Sequence, residues 1–168
     1  YGDVCDPNVL NEAMQGVTVV HHLAAKISLD GTGHKAMQRI NVGGTKQVVA
    51  AGLQAKVKRL IHYSSIHALS AHPRTEPIDE SRALAMSDRA IAYDRTKALA
   101  EQAVLTGVQK GLNAVILNPV GMLGPWDFQP SQMGELLLKL ARRQLPGVVD
   151  AGFYWVDVRD VCAAGIAA

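Results

Sequence analysis

With 48% hydrophobic and 19% charged side chains over 168 residues, the chain has material for one core and too little length for two ordinary domains. Its 17 basic and 15 acidic residues are scattered, and the formal charge of +2 includes no basic run suited to a row of phosphates, so nucleic acid is not an expected partner. Two cysteines outside any disulfide or zinc spacing, no apolar stretch near the ~18 residues of a membrane span and an opening without a secretion-signal layout lead to the expectation of a soluble protein in a reducing cytoplasm.

Residues 17–25 (VTVVHHLAA) form a near-continuous apolar run, the pattern of a strand buried on both faces of a parallel sheet. Over 34–53, Met37, Ile40, Val48, Val49 and Leu53 recur at roughly helical spacing with Gly52 near the end, which predicts a crossover helix. Residues 59–64 (RLIHYS) predict a second strand, and Pro73 and Pro77 punctuate the polar loop after it. Residues 90–110 are rich in Ala, Leu, Lys, Glu and Gln and stop at Gly111, predicting the next helix. A third strand is expected at 114–117, closed by Asn118-Pro119, and an amphipathic helix at 134–143, ended by Pro146-Gly147. This alternation of strand and helix implies an α/β fold, a doubly wound parallel sheet that binds ligands beyond the carboxyl ends of its strands. Ala24-Ala25, Ser64-Ser65 and Asn118-Pro119 occupy those ends, so one crevice is expected to collect them.

Tyr93 and Lys97 stand four positions apart in the predicted helix and share one face. A phenol titrates near about 10, too high for proton exchange at neutrality; an ammonium a few ångströms away favours the phenolate, and Lys97 is expected to lower Tyr93 in this way. Ser65, at the end of the second strand, can hydrogen-bond a substrate carbonyl beside that phenol. Each residue also has a plain reading: serines that turn the chain, an amphipathic tyrosine and a solvated lysine on a surface helix. His21 and His22 are adjacent on a strand and point to opposite faces, while His62, His67 and His72 lack a metal-binding spacing, so no metal is expected. His67, close to Ser65, reads either as a substrate-pocket residue or as a solvated loop residue.

The strings GDVCD (2–6), HHLAA (21–25), NVGGT (41–45), YSS (63–65), YDRTK (93–97), NPVGMLGP (118–125) and WVDVRDV (155–161) occur in an order that resembles the motif series of the extended short-chain dehydrogenases/reductases, the NAD-dependent epimerase/dehydratase family. The stretches NPVGMLGPWDFQP and PGVVDAGFYWVDVRDV resemble its dihydroflavonol-reductase-like branch most. The resemblance implies a Rossmann-like fold, NADP or NAD as cofactor, and Ser65, Tyr93 and Lys97 as the catalytic group, with Tyr93 exchanging the proton and Lys97 holding the nicotinamide ribose. It places Asp3 and Val4 at the adenine, Leu23, Ala24 and Ala25 beside the phosphates and ribose, Asn41 near the ribose, and Pro119 and Val120 against the nicotinamide. Asn118, Ser65 and His67 would face the substrate. It implies a homodimer formed through the helix of Tyr93 and the helix at 34–53, and a division into 1–130, part of a dinucleotide-binding domain, and 131–168, the start of a substrate-binding part.

The family's glycine-rich turn after its first strand is not in these residues, and the chain reads as a fragment whose first apolar strand becomes a sheet edge; as such it is expected to bind dinucleotide poorly. The implied activity is hydride transfer between nicotinamide and a carbonyl or alcohol. A nucleotide-sugar epimerase remains open; a 4,6-dehydratase fits less well, because Ile66-His67 stand where that branch carries Asp-Glu. A non-catalytic dinucleotide sensor on the same fold is the reading from a different class.

Overall fold

A computed structural model describes residues 1–28, 33–88, 90–147, 150 and 152–168; residues 148, 149 and 151 of the PGVVDAGFYWVDVRDV stretch lie outside the described residues. Asp6 and Pro7 open the first helix, α1 (Pro7–Ala13). The Asp6 carboxylate accepts from the N–H groups of Asn8 at 2.9 Å and Val9 at 3.5 Å, and Pro7 sits in the first turn, where a missing N–H is harmless.

Three strands follow: β1 (Val19–His22), β2 (Arg59–Tyr63) and β3 (Ala114–Leu117), all parallel, in the order β1-β2-β3. From β1 the chain reaches β2 through α2 (His34–Met37), a π-helical stretch Gln38–Gly44 and α3 (Thr45–Ala55). From β2 it reaches β3 through a 3₁₀ turn, Ile66–Ala68, a loop and α4 (Ala92–Gln109). The helix expected over 34–53 is thus one helical path with a widened turn in its middle. Gly44 ends the widened turn, and a Cβ there would lie 2.7 Å from Val4 Cγ1, so only glycine admits the N-terminal segment so close.

Strand β1 is shorter than the apolar run over 17–25. After His22 the backbone leaves the ladder because a side chain takes over its polar groups: Asn41 Oδ1 accepts the Lys26 N–H at 2.7 Å and Asn41 Nδ2 donates to the Lys26 carbonyl at 3.0 Å. β1 forms an edge of the three-stranded sheet, which leaves one side of its backbone open to pairing.

Val20, Leu60 and Ala114 are in register across the three strands and pack with Val48 and Val49 of α3 and Val104 of α4, so both helices cover this sheet face. The two helices approach closely at Gly107, where a Cβ would lie 2.6 Å from Val49 Cγ1 and 3.2 Å from Leu112 Cδ2. Alanine gains about 1 kcal/mol of helix propensity over glycine, but overpacking a filled core costs about 1–3 kcal/mol. Gly107→Ala is therefore expected to lower the urea midpoint; a midpoint at or above the parent's would mean that α3 and α4 separate freely.

The chain divides into two compact units, Tyr1–Asn118 and Pro119–Ala168. In the second, β4 (Gly121–Leu123) pairs in parallel with β5 (Trp155–Asp157), accompanied by α5 (Gln132–Ala141) and α6 (Val158–Ala167). Ser131 caps α5 by accepting the Gly134 N–H at 3.1 Å, and Asp157 caps α6 by accepting the Arg159 N–H at 2.8 Å. The division precedes the boundary expected near 130 because residues 121–123 pair with β5 and not with the three-stranded sheet.

Candidate active site

Parallel strands in register finish on one side, so the carboxyl ends of β1, β2 and β3 lie together. β1 runs into Leu23, Ala24 and Ala25, all exposed; β2 runs into Ser64 and Ser65; β3 runs into Asn118. The first turns of α4 bring Tyr93 and Lys97 there, and both are almost fully buried, with relative exposures of 7% and 5%. The Ser65 hydroxyl is near enough to the Tyr93 phenol to lower its pKa, and Ser65 Oγ accepts the backbone N–H of His67 at 3.2 Å. Lys97 Nζ donates to the carbonyl of Tyr63 at 3.1 Å.

The charge balance differs from the expectation in one respect. Burial pushes the Tyr93 phenol above its ordinary value, and the Ser65 hydroxyl offsets this only in part. Lys97, expected to acidify the phenol, points its ammonium at a backbone carbonyl, and its own pKa is lowered to about 8 by burial, against the favourable carboxylate of Glu101. Spacing on a helix placed the two side chains on one face, but it carried no information on the water that packing removes. Tyr93 is thus a protonated phenol at neutrality.

Glu101, one turn beyond Lys97, went unnoticed in the sequence because glutamate is an ordinary helix former. It is buried, and its Oε2 accepts from Ser64 Oγ at 2.7 Å and from Asn118 Nδ2 at 2.9 Å. Asn118 Nδ2 also donates to the Ser65 carbonyl at 3.1 Å. Its amide protons therefore join the ends of β2 and β3, and only Oδ1 is left for a ligand. The Lys97 to Glu101 spacing was the available signal.

Asn41 is likewise structural in its contacts. Besides holding Lys26, its Nδ2 donates to Thr96 Oγ1 at 3.1 Å, which ties the loop after β1 to α4. Asp3 is exposed, accepting from the Cys5 N–H at 2.9 Å and from Arg39 Nη1 at 3.0 Å, and Val4 packs on Gly44. Pro119 and Val120 begin the second unit, both half-buried.

His67 and Asp94 form a pair beside the phenol. His67 Nδ1 lies 2.9 Å from Asp94 Oδ1, and the imidazole meets the Tyr93 ring edge-on with centroids 5.6 Å apart. Beneath the sheet, on the face of α3 and α4, His22 and His62 stack with centroids 5.2 Å apart. His22 Nε2 bonds Thr45 Oγ1 at 2.9 Å, whereas both ring nitrogens of His62 are buried without a partner among the described residues. As expected, His21 points the other way, its Nδ1 3.1 Å from the Tyr63 hydroxyl. Within the second unit, a pocket of about 690 Å³ is walled mainly by Met122, Leu123, Trp126, Leu137 and Leu138; its Asp127 carboxylate is held by the Ser131 N–H and Oγ at 3.0 Å.

A family model described as the 3-beta hydroxysteroid dehydrogenase/isomerase family matches residues 1–168. The chain belongs to this family. A Synechocystis protein assigned as a dihydroflavonol 4-reductase is 37% identical over 99% of this chain and 48% of its own length. Sterol demethylase protein B of Methylococcus capsulatus is 32% identical over 100% of this chain and 51% of its own. Cinnamoyl-CoA reductase 1 of Arabidopsis thaliana is 34% identical over 98% and 49%. The chain spans about half the length of the curated relatives it matches.

Among solved structures, gox2253 superposes with a TM-score of 0.89 at 34% identity, over 98% of this chain and 50% of that one. The dTDP-glucose 4,6-dehydratase DesIV of Streptomyces venezuelae, solved with NAD, superposes at 0.82 over 98% and 52%; at 23% identity it speaks for the fold alone. The α/β, Rossmann-like architecture and the relationship to extended short-chain dehydrogenases/reductases expected from the motif order therefore hold for this family member. Among the described residues, no helix is long and apolar enough to cross a membrane.

Proposed function

We propose that this chain carries the proton-transfer group of an NAD(P)-dependent carbonyl reductase. The observation that carries the reading is the placement of the Ser65 hydroxyl near enough to the Tyr93 phenol to lower its pKa, at the carboxyl end of β2, with Lys97 one turn further along α4. Two neighbouring hydroxyls can share one substrate oxygen, and a phenol held protonated by burial is in the form a reduction requires.

The residues present fit the nicotinamide-ribose end of a dinucleotide. Exposed Ala24 and Ala25 at a strand end let a ribose and phosphates approach the backbone, and the loop they open is fixed by Asn41 through Lys26. Lys97, with one N–H committed to Tyr63, has further donors for ribose hydroxyls. Asn41 would act by positioning this loop, not by touching the cofactor. When bound, the nicotinamide supplies or accepts the hydride. Ser65 would orient and polarise the carbonyl oxygen, Tyr93 would give its hydroxyl proton to that oxygen, and the Lys97 ammonium, one turn along α4, would favour the phenolate that remains.

The relatives named as reductases support a carbonyl substrate. The test supplies the protein with NADPH or NADH and a panel of carbonyl compounds. Net consumption of the reduced nucleotide, matched by alcohol formed, is expected. Turnover of a nucleotide sugar with no net consumption would replace this reading by an epimerase.

A further inference from the structure

Next to the Ser65 and Tyr93 hydroxyls stands a polar pair for which the proposed reduction has no use. His67 follows Ser65 in the same 3₁₀ turn, and its backbone N–H donates to Ser65 Oγ at 3.2 Å. Its ring lies edge-on to Tyr93, and Nδ1 is 2.9 Å from Asp94 Oδ1. Asp94 is the residue after Tyr93 on α4, so the pair straddles the phenol from two elements. The His67 side chain is about half exposed, at 51%, whereas that of Asp94 is 22% exposed. The two ring nitrogens of an imidazole face opposite ways, so binding Nδ1 to Asp94 turns Nε2 away from the carboxylate.

We propose that His67, oriented by Asp94, is a recognition subsite for a second oxygen on the substrate. The substrate class is then carbonyl compounds that carry another acceptor oxygen close to the reducible carbonyl, such as 1,3-dicarbonyl compounds. The inference rests on the carbonyl-reductase reading.

The chemistry follows from the charge. A carboxylate at Nδ1 requires a proton there and favours the doubly protonated ring, so Nε2 carries a proton as well. The pKa of His67 is raised accordingly, first by its hydrogen bond to Asp94, against the effect of burial. Asp94 supplies a compensating negative charge, and the pair presents a directed N–H donor with little net field. Such a donor selects an acceptor oxygen and not overall negative charge. The two rings are neighbours, with centroids 5.6 Å apart, so a ligand at Tyr93 lies close to the His67 ring.

A structural clamp between the turn and α4 would use the same contacts, so the test must separate recognition from positioning. The parent protein, His67→Ala, His67→Gln and Asp94→Asn are assayed with 2,4-pentanedione and with 2-pentanone. The ratio of kcat/KM for the dione to that for the monoketone is expected to fall about tenfold in His67→Ala, the scale of one charge-assisted hydrogen bond, carried mainly by KM. It should recover in part in His67→Gln, whose amide can still donate. An equal loss on both ketones would overturn the subsite and leave a clamp.

Binding is read independently of turnover by ¹⁵N NMR of the histidine rings in the same protein. A shift of the His67 Nε2 signal with 2,4-pentanedione and none with 2-pentanone is expected; no shift with the dione overturns the proposal. If the shift occurs but Tyr93→Phe leaves turnover intact, the reductase chemistry fails and the subsite stands.

Discussion

Tyr93→Phe is expected to lower turnover in carbonyl reduction by about 10²-fold or more, the usual scale for losing a positioned general acid. The substitution removes one oxygen and keeps the ring that packs edge-on against His67. Ser65 loses a polar neighbour, but it is only half-buried, so water can take the vacated position and the fold should be little affected. The pH profile adds a second reading. Burial raises the Tyr93 pKa, and reduction consumes the protonated form, so the parent rate should hold through neutrality and fall as pH rises through the phenol's pKa. The variant should lose that alkaline limb along with its rate. Single-turnover measurement at saturating NAD(P)H and substrate isolates the chemical step from release. A near-parental rate in Tyr93→Phe would remove the phenol from the mechanism.

How far the sequence spoke for this site depends on the residue. The helix carrying Tyr93 and Lys97, the strand ending at Ser65 and their convergence could be read from periodicity and spacing, because a parallel sheet fixes where strand ends meet. The direction of the Tyr93 shift could not, since it depends on how many water molecules packing excludes. Glu101 and Asp94 escaped for another reason: charged residues on a helix are ordinarily solvated, and although the four-residue spacing pairs Glu101 with Lys97, it does not tell a surface pair from one buried against Ser64, nor that Asp94 is bonded to His67. The helix α1, seven residues long, is too short for Leu10 and Met14 to establish a period and is marked chiefly by Asp6-Pro7, while β4 and β5, three residues each, are too short to leave one. The π-helical turn at Gln38–Gly44 is a backbone event with no side-chain period of its own, and it ends where Val4, distant in sequence, packs on Gly44.

Acid should unfold this protein earlier than its exposed carboxylates alone would. His22 and His62 are buried on the face of α3 and α4, and burial lowers their pKa values from 6.5 to about 4 and about 3, with a smaller effect from the Lys97 ammonium. The unfolded chain protonates these rings near pH 6.5, the folded one only far below. The stability they contribute is therefore complete above pH 6.5 and is lost as pH falls from there toward 3 to 4. At roughly 1.4 kcal/mol per pKa unit the combined loss is on the order of several kcal/mol, comparable to the whole stability of a domain. The urea midpoint should thus drop steeply between pH 7 and pH 4.5.

His62→Leu separates the two rings. Both nitrogens of His62 are buried without partners among the described residues, and Leu60 and Ile116 stand on the same sheet face, so an apolar side chain of similar size should keep or raise stability at pH 7 and flatten the acid slope. His22→Leu also removes a protonatable ring but breaks the 2.9 Å bond to Thr45, which costs stability at pH 7. A His62→Leu variant with the parent's acid slope would mean that the lost stability comes from carboxylates on the surface and not from these imidazoles.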